Sequence, residues 1–465
     1  MRKIFRSRQT LIGSALVPAD VEVDTESGLI TAVRTGEELR VALALDASCD
    51  AGHSASGSLV INVPDEVIQL PANVDCHVHV NEPGRTEWEG FASATVAAAC
   101  GGIGTIVDMP LNSIPPTVDS DALAVKRAVA SGKIFVDVGL WGGAVPSNLG
   151  SLEELWERGV YGFKCFLVDS GVPEFPPLDG GDFARAMTEV ASFDGLMIVH
   201  AEDPDVLGAI PAWSSRRYTD FVDSRPPEAE VRAIETVIEQ VRRHGTRAHI
   251  LHVSSARALE PIAAARAEGL PLTAETCPHY LIFDSENVPD GAAEFKCCPP
   301  IRDPGNQREL WQGLVAGVLD CVVSDHSPST VEEKTKGGGD LAQAWGGVSS
   351  LQVTFPAMVD AAAEHGIGLP RVSEWMSAGP ARVAGVAGKG VLEAGADADL
   401  IWYEPGREVA VDGSRLAHRN KMTAYTGRVL SEESLRHMAA RRRLAPAREQ
   451  NSGRSGAAAA LHQAS

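Results

Sequence analysis

Short apolar runs alternate with stretches of helical periodicity along this chain, and the alternation becomes regular from residue 74 onward. Eight runs read as strands: Val74 to His79, Thr105 to Met109, Ile134 to Leu140, Gly162 to Phe166, Leu196 to His200, His249 to Val253, Leu272 to Thr276 and Asp320 to Ser324. Between them, segments such as Asp119 to Ala130, Glu228 to Arg243, Ala256 to Glu268 and Asn306 to Val318 carry Ala, Leu, Glu and Arg at helical spacing, with Gly or Pro where turns are due. Eight strand and helix alternations predict an α/β fold of the parallel (β/α)8 type, a TIM-like barrel. A doubly wound open sheet is the runner-up, but no GxGxxG follows an early strand.

The barrel is expected over residues 74–365. Residues 1–73 hold short β-type runs, Thr10 to Val17 and Gly28 to Thr35. Residues 366–440 hold a helix and then a turn-and-strand signature, with Gly390, Gly395, Asp397 and Asp399 leading into Leu400 to Tyr403. The two flanks are predicted to combine into one small β-domain. Residues 441–465, with five Arg against one Glu and a Ser, Gly and Ala ending, read as a disordered tail, and Ala47 to Ser58 as a surface loop.

Composition narrows the function. A chain of 465 residues with a net charge of −21 repels nucleic-acid phosphate and anionic membrane surfaces. The longest weakly polar stretch, Phe91 to Val107, falls short of the ~20 residues of a membrane span. Met1 to Gly13 lacks the continuous apolar core of a secretory signal, so a cytoplasmic location is expected. The eight cysteines are too sparse for a disulfide scaffold and form no paired CxxC.

His77 and His79 stand two apart on the first predicted strand, so both imidazoles project from one face, which a barrel turns inward. That is half a metal site. Four more candidate ligands fall at the carboxyl ends of later strands, where barrel active sites are built: Lys164, His200, His252 and Asp325. His244, His365, His418 and His437 sit in helical or loop patterns and are expected to be solvated or capping residues. Lys164, in Gly-Phe-Lys-Cys-Phe, is a lysine inside an apolar strand. It is either a snorkelling or paired cation, or an amine whose pKa burial lowers until it adds carbon dioxide and becomes N6-carboxylysine, an anionic ligand able to bridge two cations. With four imidazoles, Asp325 and that carbamate, the set predicts two divalent ions of the zinc kind and a bridging water acidified for hydrolysis.

At these residues the chain resembles the amidohydrolase superfamily, and within it the cyclic amidohydrolases that act on allantoin. The resemblance covers roughly Leu70 to Glu404. It is carried by the order of two His, Lys, His, His and Asp, by Val74-Asp-Cys-His-Val-His-Val-Asn-Glu-Pro-Gly-Arg-Thr-Glu-Trp-Glu-Gly-Phe91, and by Asp108 to Thr117, Lys296 to Arg302 and Ser324 to Pro328. It implies hydrolysis of the ring amide of allantoin to allantoate, a step of purine breakdown, by attack of a metal-bridging hydroxide. Asp325 takes the hydroxide proton and passes it to the departing ring nitrogen. It also implies a homotetramer, and Asn81, Asn112, Cys297 and Ser327 as residues that orient the substrate. Related enzymes that bind dihydroorotate place an arginine where Asn81 stands, and a neutral amide suits an uncharged ring. A dihydropyrimidinase or hydantoinase shares every ligand and stays open as the alternative. A non-catalytic binding homologue would lack ligands that are all present here. After Gly427-Arg-Val-Leu430 the family continues into a closing strand, whereas Ser431 to Leu444 reads here as a basic helix.

Overall fold

The computed structural model describes residues 1–46, 52–432 and 436–438. The amino flank forms strands β1 (Arg2–Ile12), β2 (Ala15–Asp24), β3 (Leu29–Thr35), β4 (Leu59–Asn62) and β5 (Ile68–Pro71). The next strands are β6 (Asn73–Val78), β7 (Ile103–Asp108), β8 (Asp137–Leu140), β9 (Gly142–Gly143), β10 (Phe163–Phe166), β11 (Leu196–His200), β12 (Arg247–Ile250), β13 (Leu272–Thr276) and β14 (Cys321–Val322). The carboxyl flank adds β15 (Leu400–Tyr403), β16 (Arg407–Ala410), β17 (Val429–Glu432) and β18 (Arg436–Met438).

β6, β7 and β8 pair in parallel, as do β9 through β14 in chain order. β8 runs almost directly into β9, so the two share one place in the circuit. A parallel bridge between Val78 and His326, with His79 N donating to the His326 carbonyl at 2.8 Å, closes the last strand onto the first. The result is a closed barrel of eight parallel strand positions. Helices cover it because their sequences specify one apolar face each. In Pro227–His244, proline opens the helix, Glu228 and Glu230 lie in the first turn, Arg242, Arg243 and His244 in the last, and Gly245 ends it at φ 70°. Its Ala233, Ile234, Val237, Ile238 and Val241 are buried. Each larger side chain so buried contributes about 1.5–3 kcal/mol. Among the described residues, no helix is long and apolar enough to cross a membrane.

Strands of the two flanks meet in one sheet of order β18-β15-β5-β1-β2-β3, with β4 also paired to β1. Its core holds Phe5, Val21, Val23, Ile30, Leu392 and Leu400. The reading of Ser431 to Leu444 as a basic helix is corrected. Residues up to Glu432 continue β17 against β16, and Arg436–Met438 pairs antiparallel with Leu400–Trp402. The open edge of β15 offers a row of backbone donors and acceptors, and filling it outweighs local helix propensity. Residues 433–435 and 439–444 of that reading, the tail 441–465 and residues 47–51 of the expected surface loop lie outside the described residues.

Where the sheet meets the barrel, Lys389 is buried among Asp137, which starts β8, and Asp397 and Asp399, which lead into β15. Burial raises the Asp399 carboxyl to about 6 in spite of that ammonium. Removing a buried cation strands its partners at a cost of about 3–5 kcal/mol. Lys389→Met is therefore expected to lower the thermal unfolding midpoint by several degrees, as read by calorimetry. An unchanged midpoint would show that the three carboxylates are held apart by other means.

Candidate metal centre

The ligand candidates converge because the barrel ends its strands in one layer. His77 ends near the tip of β6 and His79 follows it, with ring centroids 5.5 Å apart. Asp325 comes just after β14 and His252 just after β12, and both adopt left-handed backbone, at φ 42° and φ 37°. Such conformations cost of order 1–3 kcal/mol for a non-glycine residue and persist where the surroundings enforce them. His77 Nε2 lies 3.2 Å from Asp325 Oδ1, and His79 Nε2 lies 3.7 Å from the same oxygen. Across the cavity His200 Nδ1 is 2.9 Å from His252 Nε2.

Buried carboxylates fix which nitrogen of each ring faces inward. Glu275 Oε1 accepts from His77 Nδ1 at 2.6 Å, leaving Nε2 with its lone pair toward Asp325. Glu202 Oε2 accepts from His200 Nε2 at 2.8 Å, leaving Nδ1 toward His252. Carboxylates behind imidazoles set their tautomer and raise their basicity as ligands. Burial opposes the charge on Glu275, yet the His77 and His249 donors hold its carboxyl down to about 2. Burial likewise opposes the charge on Glu202, and Arg225 with His200 more than offsets it.

Lys164 stands in β10, buried, with its nitrogen 4.6 Å from the Phe166 ring centroid. It lines the same cavity as His77, His79, His200, His252 and Asp325. Burial lowers its pKa to about 8. Burial also depresses His79, His200 and His252, so these rings are neutral, the state a metal requires, while it raises the Asp325 carboxyl.

All six residues line one cavity of about 480 Å³. His79 Nδ1 and His252 Nδ1 are buried without a hydrogen-bond partner. Neutral imidazoles facing a carboxylate and one another, with an amine of lowered pKa in the same cavity, form the donor set of a divalent metal site. Asn112, Cys297 and Ser327 line the same cavity. Asn81 is not among the lining residues: at φ 65° it donates Nδ2 to the Pro328 carbonyl at 3.1 Å.

Sequence reasoning passed over Glu275, Glu202, Arg225, His249 and His279. Glu275 carried a usable signal, a carboxylate two residues from Thr273 on the inward period of an apolar strand. It also binds His249 Nε2 at 2.9 Å. His279 is fully buried with neither ring nitrogen partnered, and burial followed by the His77 charge pushes its pKa to about 3. Its ligand atom lies within 4.8 Å of Cys277 and Asp325.

The sequence matches the Amidohydrolase family over residues 68–425. An allantoinase of Streptomyces avermitilis is 51% identical over 428 residues, covering 92% of each chain. An allantoinase of Saccharomyces cerevisiae is 41% identical over 427 residues and 90% of each chain. Among solved structures, the L-hydantoinase (dihydropyrimidinase) of Arthrobacter aurescens superposes with a TM-score of 0.83 at 26% identity, covering 94% of both chains.

The carboxylate layer generates a direct test. Glu275→Gln keeps the shape but weakens acceptance from His77, and losing such a partner typically costs 10- to 100-fold in metal affinity. Competition with a chelator, read as metal per chain, is expected to show that loss. Equal retention by variant and parent would mean that the ring is oriented without Glu275.

Proposed function

The chain belongs to the amidohydrolase family, and from that membership we propose that it hydrolyses the ring amide of allantoin to allantoate. The observation that carries this reading is the pair of inward-facing imidazole groups, His77 with His79 and His200 with His252, set around Lys164 and Asp325 in one cavity. Extended identity to allantoin-hydrolysing relatives favours this substrate over the simpler rings of the hydantoinases.

His77, His79, Lys164, His200, His252 and Asp325 would hold two divalent ions, zinc by the softness and geometry of the donors. When bound, those ions supply Lewis acidity, which acidifies water and polarises an amide carbonyl. Lys164 serves as N6-carboxylysine. Lowering its pKa from 10.5 to about 8 raises the neutral fraction at pH 7 from roughly one in 3,000 to roughly one in ten, and only the neutral amine adds carbon dioxide. Asp325 is the proton carrier. It takes a proton from the attacking water as the carbon–oxygen bond forms, and returns it to the ring nitrogen as the carbon–nitrogen bond breaks. Its burial raises its pKa, which suits a group that must be protonated in mid-reaction.

Asn112, Cys297 and Ser327 orient the ring, and Asn81 steadies the Ser327-Pro328 turn through its bond to the Pro328 carbonyl. A homotetramer in the cytoplasm completes the reading. The first rests on family resemblance, the second on the seven described cysteines, all free thiols.

Purified protein is expected to open allantoin with a higher kcat/KM than hydantoin, dihydrouracil or dihydroorotate, and a higher value for any of these three would overturn the substrate assignment. Lys164→Ala is expected to lose most bound metal and activity, with partial return of both in a short carboxylic acid. Undiminished metal and turnover in that variant would remove the carbamate from the scheme. Asp325→Asn is expected to lower kcat by at least about 10²-fold, the low end of general-base contributions. A near-parental kcat would assign proton transfer to another group.

A further inference from the structure

Arg225 lines the same cavity as the metal ligands. Its Nε and Nη2 form a fork onto the two oxygens of Glu202, at 2.9 and 2.7 Å, and Glu202 in turn holds His200. The pair is lopsided. Glu202 is fully buried, whereas the Arg225 side chain keeps 22% of its surface exposed. The fork engages two of the three guanidinium nitrogens and leaves Nη1 outside it.

Arg302 Nη1 donates to the Arg225 carbonyl at 3.2 Å and pins its backbone. A side hollow of about 270 Å³, walled by Leu207, Trp213 and Phe221, adjoins the cavity, and Arg225 lines both spaces. The other described cations lining the cavity are committed. Lys164 belongs to the ligand set, and Lys296 donates to the Ala344 carbonyl and sits over the Phe221 ring. Arg225 therefore stands two hydrogen bonds from His200, through the Glu202 carboxylate, and lines both spaces.

Allantoin differs from bare hydantoin by a ureido group, whose carbonyl is a neutral acceptor displaced from the ring. With the ring over the candidate ligands, that arm extends to another part of the cavity wall, which Arg225 helps to form. We propose that Arg225 is the specificity-determining residue for the exocyclic group: Nη1 donates to the ureido carbonyl while Nε and Nη2 stay on Glu202. A guanidinium-to-carbonyl bond is charge-assisted and roughly twice as strong as a neutral one. It favours the substituted ring over the bare one without adding anything at the scissile amide. The inference rests on allantoin being the substrate.

The test compares two rings rather than one rate. Arg225→Lys keeps a cation for Glu202 but lacks the second arm of the fork. Its kcat/KM for allantoin, expressed per bound metal, is expected to fall at least tenfold more than that for hydantoin. If hydantoin is bound but not opened, its constant as a competitive inhibitor is compared with the KM for allantoin instead. Glu202→Gln is the companion variant, because it loosens His200 without removing Nη1, and it is expected to lower both rings alike. Equal losses for the two rings in Arg225→Lys would overturn the inference and leave Arg225 as a support for Glu202. If the parent protein failed to open allantoin at all, the substrate assignment itself would fail, an outcome recognisable before any variant is made.

Discussion

The centre of this protein depends on keeping basic side chains uncharged by burying them against the barrel wall. Three imidazoles and one amine have their pKa values lowered by burial, and the barrel wall is what buries them. A lone pair on a neutral ring is a ligand, and a protonated ring is not. Burial alone leaves the tautomer open, so the two wholly buried carboxylates, Glu275 and Glu202, complete the arrangement by accepting a hydrogen bond from the outer N–H of His77 and of His200. Each carboxylate is held by a further donor, His249 behind Glu275 and Arg225 behind Glu202. The polar network thus runs outward from the cavity in layers, each satisfying the one inside it.

Much of the architecture was legible because barrel strands announce themselves. Leu196 to His200 is an apolar run ending in a candidate ligand, and the observed strand has the same bounds. The His77 and His79 pair was legible through the two-residue period of a strand. Strand ends were less so. The run expected to continue to Val253 stops at Ile250, and the one expected to reach Ser324 stops at Val322. His252 and Asp325 then turn in through left-handed backbone, which no local preference of His or Asp dictates strongly. Glu275 sits on the inward period of its strand, but its partner His77 lies 198 residues away, and Glu202 lies beyond the end of the strand that His200 closes. The stretch after Leu430 misled in another way. Its local composition favours helix, whereas its described residues pair as strands, Ser431–Glu432 with Arg407–Glu408 and Arg436–Met438 with Leu400–Trp402.

Ties between distant parts of the chain also hold the site from outside. Pairing of Ile68–Pro71 with Leu400–Tyr403 fixes the segment just before β6, and Lys389 clamps the start of β8 to the carboxyl flank. Residues near 420 return to the loop that follows His79. Arg419 N donates to Glu89 Oε1 at 3.1 Å, Asn420 Nδ2 to the Trp88 carbonyl at 2.7 Å, and Glu89 meets His326, the neighbour of Asp325, at 3.3 Å.

That return has a consequence for synthesis. Glu89 leaves the ribosome more than 300 residues before its partner Arg419. During that interval the amino-terminal strands and their apolar faces exist without the segment that covers the loop after His79. Closure of the sheet and of the loop waits for nearly the whole polypeptide, and contacts of such sequence separation form slowly and leave partly built surfaces exposed to association. The loop after His79 thus stays uncovered through the long period between translation of Glu89 and translation of Arg419 and Asn420.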